Sequence, residues 1–449
     1  MFPRKNTKHR TLSIDKSHLF IIDRKTAYRH CPRIEGAREG LTVDTAIFRT
    51  DTAHRDPSMR RGTNQSGMRD FNERLVLSLV RQHGALAKTD IARMTGLSAQ
   101  TISVIMRELE ADELLVRGAP VRGKVGQPSI PMSLNPEGAF FLGLKIGRRS
   151  ADLVLIDFLG NIRGMTHATY AYPAPRETLE FARSGIAQLC ETLDGRQRER
   201  IAGLGIAMPF ELWNWADSVG APRSIMDEWR TNDIRSVLGA DLVFPVYLQN
   251  DATAACGAEL VFGETGDLRN FIYFYVGAFI GGGVVLDGAL YAGPTGNAGA
   301  VGSMPVPDRT GRPVQLIDIA SIAVLEKALI SARRDGSMLW TSPADWGDIS
   351  PFLEDWIDSA AAGLAYAIVA ASAVIDFEAA VIDGWMPEAI RDRLVAATSL
   401  KLGQFDIEGL SLPATRAGTV GIHARALGGA SLPLSDRFLV GQIASSRGA

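Results

Sequence analysis

The sequence predicts an α/β protein in which a winged helix-turn-helix precedes a larger body of alternating strands and helices. Three observations predict it. Thr89 to Glu110 has the spacing of two helices joined by a tight turn. The residues after Met132 alternate strand-length apolar runs with helical stretches, and a length of 449 residues exceeds one ordinary domain.

Met68 to His83 reads as an amphipathic helix with Phe71, Leu75, Leu77, Leu79 and Val80 as its apolar positions. Asp90 to Met94 makes the next helix, Gly96 the turn, and Ser98 the N-cap of the third, its hydroxyl placed to satisfy an orphan amide. Leu97, Ile102, Ile105 and Leu109 fall at helical spacing and face a core, leaving Ala99, Gln100, Ser103 and Arg107 opposite. Small and polar side chains on an exposed helix suit major-groove base edges, and Gln can bond adenine through two atoms. An ordinary helical hairpin has the same turn, so the flanks decide. Leu114 to Arg117 reads as a strand, and Gly118 to Pro128 as a wing whose Arg122 and Lys124 reach phosphates or the minor groove. The expected DNA-contacting set is Lys88, Thr89, Ser98, Ala99, Gln100, Thr101, Ser103, Arg107, Arg122 and Lys124, on double-stranded operator DNA. One winged helix reads few base pairs, which predicts a homodimer or homotetramer.

Charge divides the chain in the same place. Residues 1–128 hold 23 Lys and Arg against 14 Asp and Glu, and the remainder 25 against 36. A basic front and an acidic body suit one end binding a polyanion. Cys31, Cys190 and Cys256 form no CxxC spacing, which points to a reducing cytoplasm and away from structural zinc. Met1 to Arg10 is polar and basic with no apolar run behind it, so no signal peptide is expected. The apolar run Ala360 to Ile375 is too short and small in side chain for a membrane span and reads as a buried helix. Residues 1–65 lack periodicity and read as a mobile basic extension. Its origin is open between an upstream start before Met59 or Met68 and an arm that adds nonspecific DNA affinity. The expected domains are 1–65, 66–128 and 129–449.

In the body, Phe140 to Ile146 and Ala151 to Phe158 are strands, and a third ends near Tyr172. The helix Glu177–Leu193 follows, then strands Ile201–Ala207 and Val246–Gln249. Trp356 to Ile375 is the buried helix, and Glu378 to Ile382 a strand. This spacing alone says mixed α/β.

Four stretches carry a resemblance: GTNQSGMRDFNERLVL before the helix-turn-helix, GQPSIPMSLNPEGAFFLGLKIG at the junction, LQNDATAACGAELVFGE (Leu248–Glu264) and GAFIGGGVVLDGALYAGPTGNAGAVGSMPV (Gly277–Val306). From about Gly62 onward the chain resembles the ROK family, which groups sugar-responsive bacterial repressors with sugar kinases. The resemblance implies a two-lobed, actin-like or hexokinase-like ATPase fold behind the winged helix. It also implies a cleft for a small-molecule effector, a sugar or derivative.

Departures from the family pattern shape the expected function. The first phosphate loop of family kinases, D-x-G-G-T in type, reads Lys145-Ile146-Gly147-Arg148-Arg149. The second reads Gly277-Ala278-Phe279-Ile280-Gly281-Gly282-Gly283, with Phe279 in place of a glycine. Asp251 matches the catalytic base, and Asn250-Asp251 can equally cap the helix that follows. The sugar motif G-E-I-G-H reads Gly299-Ala300-Val301-Gly302-Ser303, and the loop after it has neither Cys nor His. At Asp383-Gly384 one glycine of the adenosine side has become an acid. The resemblance therefore implies a regulator with no cofactor and no metal, binding its effector through Asn250, Asp251, Gly299 and Ser303. An active sugar kinase with an accessory DNA-binding domain is the alternative.

Overall fold

The computed structural model describes residues 65–121 and 129–441. Except for Gln65, the expected extension lies outside the described residues, as do Arg122 and Lys124. Among the described residues three helices come first: α1 (Gln65–His83), α2 (Lys88–Thr95) and α3 (Ala99–Ala111). Ile91, Ile102, Ile105, Met106 and Leu109 cluster with Val76, Leu77 and Val80 of α1. Phe71, read as a core position, is 52% exposed, and Val76 is fully buried instead. Steps of 100° per residue put Phe71 well away from the Val76–Leu77–Val80 stripe. β1 (Leu115–Arg117) pairs antiparallel with β2 (Met132–Leu134), so the return strand of the wing comes after Pro128.

Two five-stranded sheets build the body. β3 (Phe140–Ile146), β4 (Ser150–Ile156) and β5 (Ile162–Thr169) form an antiparallel meander. α4 (Pro175–Glu191) follows, and β6 (Ile201–Ala207) and β7 (Val246–Gln249) then add parallel to β3, in the order β5-β4-β3-β6-β7. α5 (Asp251–Phe262) leads to the second sheet, whose meander is β8 (Phe271–Val276), β9 (Ile280–Leu286) and β10 (Ala289–Tyr291). A separate hairpin, β11 (Pro305–Pro307) and β12 (Pro313–Gln315), comes next. α6 (Phe352–Ser372), β13 (Ala379–Gly384), α7 (Glu388–Leu402) and β14 (Ala414–Ala417) complete the second sheet in the order β10-β9-β8-β13-β14. Within α6, Ala360, Leu364, Ala367 and Ile368 are buried. Among the described residues no helix is long and apolar enough to cross a membrane.

The last helix, α8 (Ala424–Phe438), packs on β3 and β6 of the first sheet, whereas α5 packs on β9 of the second, and the two helices cross. The last helix comes close enough to both neighbours for backbone to meet backbone. A Cβ at Gly205 would lie 1.8 Å from the Gly429 carbonyl oxygen, and one at Gly428 would lie 2.1 Å from that of Ala254. Glycine alone permits this approach.

The winged helix shares its core with the first lobe. Val76, Leu77 and Val80 cluster with Phe141, Phe158 and Phe438, and the Val440 amide donates to Ser78 Oγ at 3.0 Å. Arg81 donates to the carbonyl of Phe158 and stands 5.6 Å from its ring centroid. At the end of α3, Glu113 accepts from both Arg196 and Arg200.

Candidate nucleic-acid interface and effector cleft

Gly96 ends α2 in the left-handed region (φ 71°), its amide donating to Ala92, and the Thr101 amide donates to Ser98 Oγ at 3.0 Å. Cap and turn fix the angle of α3. Its inner face is buried, while Ser98, Ala99, Gln100 and Arg107 are exposed and Thr101 and Ser103 half-buried. Lys88 and Thr89 are exposed at the start of α2. The described members of the expected DNA-contacting set thus lie on α3, on its cap or at the start of α2, with Arg107 farthest along α3. Ser98 and Thr101 are less free than sequence implies, because their hydroxyls bond each other at 2.8 Å.

In the body, Asn250 Oδ1 accepts from the amides of Ala252 (3.1 Å) and Thr253 (3.3 Å), so it caps α5. Asp251, the first residue of that helix, accepts from Arg425 Nη1 of α8 at 3.2 Å. The Arg425 guanidinium also lies 4.9 Å from the Tyr275 ring centroid. Beside them Lys145 Nζ donates to Ser150 Oγ (2.6 Å) and Asp152 Oδ2 (2.8 Å), and Asp152 meets His167 Nδ1 at 2.5 Å. Burial, with Arg425 nearby, pushes the Lys145 amine down to about 8 against the pull of Asp152.

That value has a consequence for stability. Free lysine titrates at 10.5, so between about pH 8 and 10.5 the unfolded chain keeps a proton the folded chain has released. Stability from this group is then full above 10.5 and is lost as pH falls through 8. Urea unfolding at pH 8 and pH 10 checks it: the rise with pH is expected to be smaller in Lys145→Met than in the parent.

The two stretches read as phosphate loops meet each other. The Arg148 guanidinium stands 4.2 Å from the Phe279 ring centroid, and Phe279 packs edge-on against Trp215 at 5.2 Å. Gly281, Gly282 and Gly283 belong to strand β9. A Cβ on Gly281 would come within 2.7 Å of Ala252 Cβ, and one on Gly283 within 2.5 Å of Cys256 Cβ. Packing α5 onto β9 therefore explains Gly281 and Gly283 without a nucleotide, and at Gly282 a Cβ would lie 2.1 Å from the Tyr273 carbonyl oxygen. Asp383 is buried and accepts from the amides of Gly384 (2.8 Å) and Gly421 (2.9 Å) and from the Tyr273 hydroxyl (3.1 Å), while burial pushes its carboxyl up.

Gly299 (φ +80°) lies against Gly283, and exposed Ser303 lines a shallow depression with Arg312, Gln315 and Asp318. The loop after Ser303 is the β11–β12 hairpin, closed by Asp308 Oδ1, which accepts from the amides of Thr310 (2.8 Å) and Arg312 (3.0 Å). Arg425, Trp215 and His167 escaped the sequence reading. Asp152 carried a signal, since an acid in an apolar strand requires a buried partner.

Comparison with known proteins gives two profile matches: the ROK family over residues 141–400 and a winged helix-turn-helix DNA-binding family over residues 69–116. An uncharacterized protein, y4fQ of Sinorhizobium fredii, is 24% identical over 376 residues, 84% of this chain and 93% of that one. A xylose repressor of Caldicellulosiruptor bescii is 25% identical over 53% of this chain and 59% of its own length. The crystal structure of a ROK family transcriptional regulator, a homologue of the E. coli MLC protein, superposes with a TM-score of 0.57 at 19% identity. It covers 83% of this chain and 97% of that one, a likeness of fold.

Proposed function

We propose, from the premise that this chain belongs to the ROK family and carries a winged helix-turn-helix in front of that domain, that it is a DNA-binding transcriptional regulator. On this reading it represses genes for carbohydrate uptake or catabolism, and its ROK domain senses a sugar or related metabolite. The carrying observation is α3, whose buried stripe holds it to the core while Gln100 and Arg107 stay exposed on the other side. Exposed polar side chains on a capped second helix are what base-edge contact requires. Gln100→Ala is expected to weaken the specific site by about 1–3 kcal/mol and leave random DNA nearly unaffected. Fluorescence anisotropy at one salt concentration checks this, and equal losses on both duplexes would remove Gln100 from base reading.

The effector is assigned to the cleft around Asn250 and Asp251, with Gly299 and Ser303 contributed by the second lobe. Names of similar proteins, among them a xylose repressor, support a pentose or related sugar as the first ligand to test. On this reading the chain acts without phosphoryl transfer, which is supported by the stacking of Arg148 on Phe279 between the two stretches that resemble phosphate loops and by Lys145 at a position where the resemblance expects an acid. Asp251 at the catalytic-base position favours the kinase reading instead. Incubation with Mg-ATP and a sugar panel decides between them. No turnover is expected, and sugar-stimulated phosphorylation that disappears in Asp251→Asn would make the chain a kinase.

A further inference from the structure

We propose that the ligand of the cleft around Asp251 is anionic, a sugar derivative that carries a carboxylate or a phosphate, an inference that rests on the regulatory reading above. Two unmatched donors carry it. Tyr275 is 2% exposed, and its hydroxyl has no hydrogen-bond partner among the described residues. Arg425 lies over the Tyr275 ring, and its Nε is likewise buried without an acceptor there, although Nη1 donates to Asp251 at 3.2 Å. Donors buried in this way cost about 1–3 kcal/mol each when unmet, so these adjoining side chains favour a ligand that brings an acceptor. A small solute can reach them, since the side chains of Arg425 and Asp251 are 14% and 15% exposed.

Charge makes that acceptor an anion. Buried Lys145 stands against the loop after β3, where a Cβ at Gly147 would lie 3.0 Å from its Nζ, and burial together with the charge of Arg425 pushes its amine down. The same loop carries Arg148, pushed down to about 10 by burial and by the charge of Arg149, which is exposed. The carboxylates near these cations are already engaged. Asp152 accepts from Lys145 and meets His167, and Asp251 accepts from Arg425. Glu326, the acid whose charge acts on Arg148, accepts from Trp340 Nε1 at 2.6 Å. A neutral hydroxyl would meet the unmatched donors but leave the like charges unrelieved. An oxyanion does both, through charge-assisted hydrogen bonds, and carboxylate and phosphate share that chemistry. Asp251 keeps acceptor capacity beyond its bond to Arg425, so it can take a hydroxyl of the same ligand.

The test is calorimetric titration of the full chain at low salt with matched ligands. Xylose is set against xylonate, glucose against glucuronate and glucose 6-phosphate, and inorganic phosphate is titrated alone. At least one sugar acid or sugar phosphate is expected to bind about tenfold or more tighter than its neutral parent, the gain of a charge-assisted bond over a neutral one. The carboxylate and phosphate arms show which anion the cleft takes. The preference is expected to shrink several-fold in Arg425→Gln. Should that variant not fold, Arg149→Gln, at an exposed position, gives the same reading with a smaller loss. A bound anion also favours the charged form of Lys145, so binding at about pH 8 takes up part of a proton. The heat then depends on the buffer, and this dependence is expected to disappear in Lys145→Met. The inference is overturned if the neutral parents bind as tightly as their acids, if no acid or phosphate binds, or if inorganic phosphate alone matches the sugar derivatives. An acid that binds as expected but leaves DNA affinity unchanged sustains the anion site and counts against the regulatory reading instead.

Discussion

Asp251→Ala is expected to destabilise the folded chain by about 3–5 kcal/mol, because it strands a buried guanidinium without its carboxylate. The pair is mostly out of water, with side chains 14% exposed for Arg425 and 15% for Asp251. Asp251 also opens α5, where its negative charge faces the positive end of the helix. Nearby Lys145 adds a second positive charge, and Asp152 is already engaged by Lys145 and His167. Urea unfolding of Asp251→Ala beside Asp251→Asn measures the effect, with the smaller loss expected for asparagine. A loss below about 1 kcal/mol in the alanine variant would place this pair with surface ion pairs. The prediction bears on function, because loss of effector response in Asp251→Ala alone would not separate ligand contact from a disturbed fold.

Gly205→Ala is the second large effect. The added methyl would lie 1.8 Å from the Gly429 carbonyl oxygen and 2.6 Å from its carbon, both backbone atoms of α8. No rotamer relieves that contact, so the helix must lift from the sheet. The loss is expected at or above the upper end of the roughly 1–3 kcal/mol typical of overpacking. Because α8 also supports α1, DNA binding is expected to fall along with thermal stability. Gly195→Ala, with nothing within 4 Å of the new methyl, is the control and is expected to stay within about 0.5 kcal/mol of the parent. Equal melting temperatures for the two variants would show that α8 can shift freely.

Local chemistry made much of the fold legible. Gly96 and Ser98 mark a turn and a cap through their own backbone and side-chain properties, and both stand where expected. Apolar spacing placed β3, β6 and β7 at their observed bounds. It failed at Phe71, where a large apolar residue near a helix start faces outward. The cleft was legible in part. Asn250 could be read as a cap because the cap bond spans two or three residues, whereas Arg425 meets Asp251 across 174 positions. Arg148 and Phe279 each read as a misfit in a glycine loop, but their stacking depends on two separate turns meeting Trp215. Gly281 and Gly283 invited a phosphate-loop reading because close helix packing and phosphate approach both demand a missing side chain.

The central claim, that this chain reads DNA sequence, is tested most directly by its specificity ratio. Full-length protein is used to select a duplex from a random library. Its affinities for that duplex and for a random one of equal length are then measured at the same salt concentration. A ratio of about 10³ or more in favour of the selected duplex is predicted. Equal affinities, falling together with added salt, would contradict it and leave the basic front as a nonspecific polyanion surface.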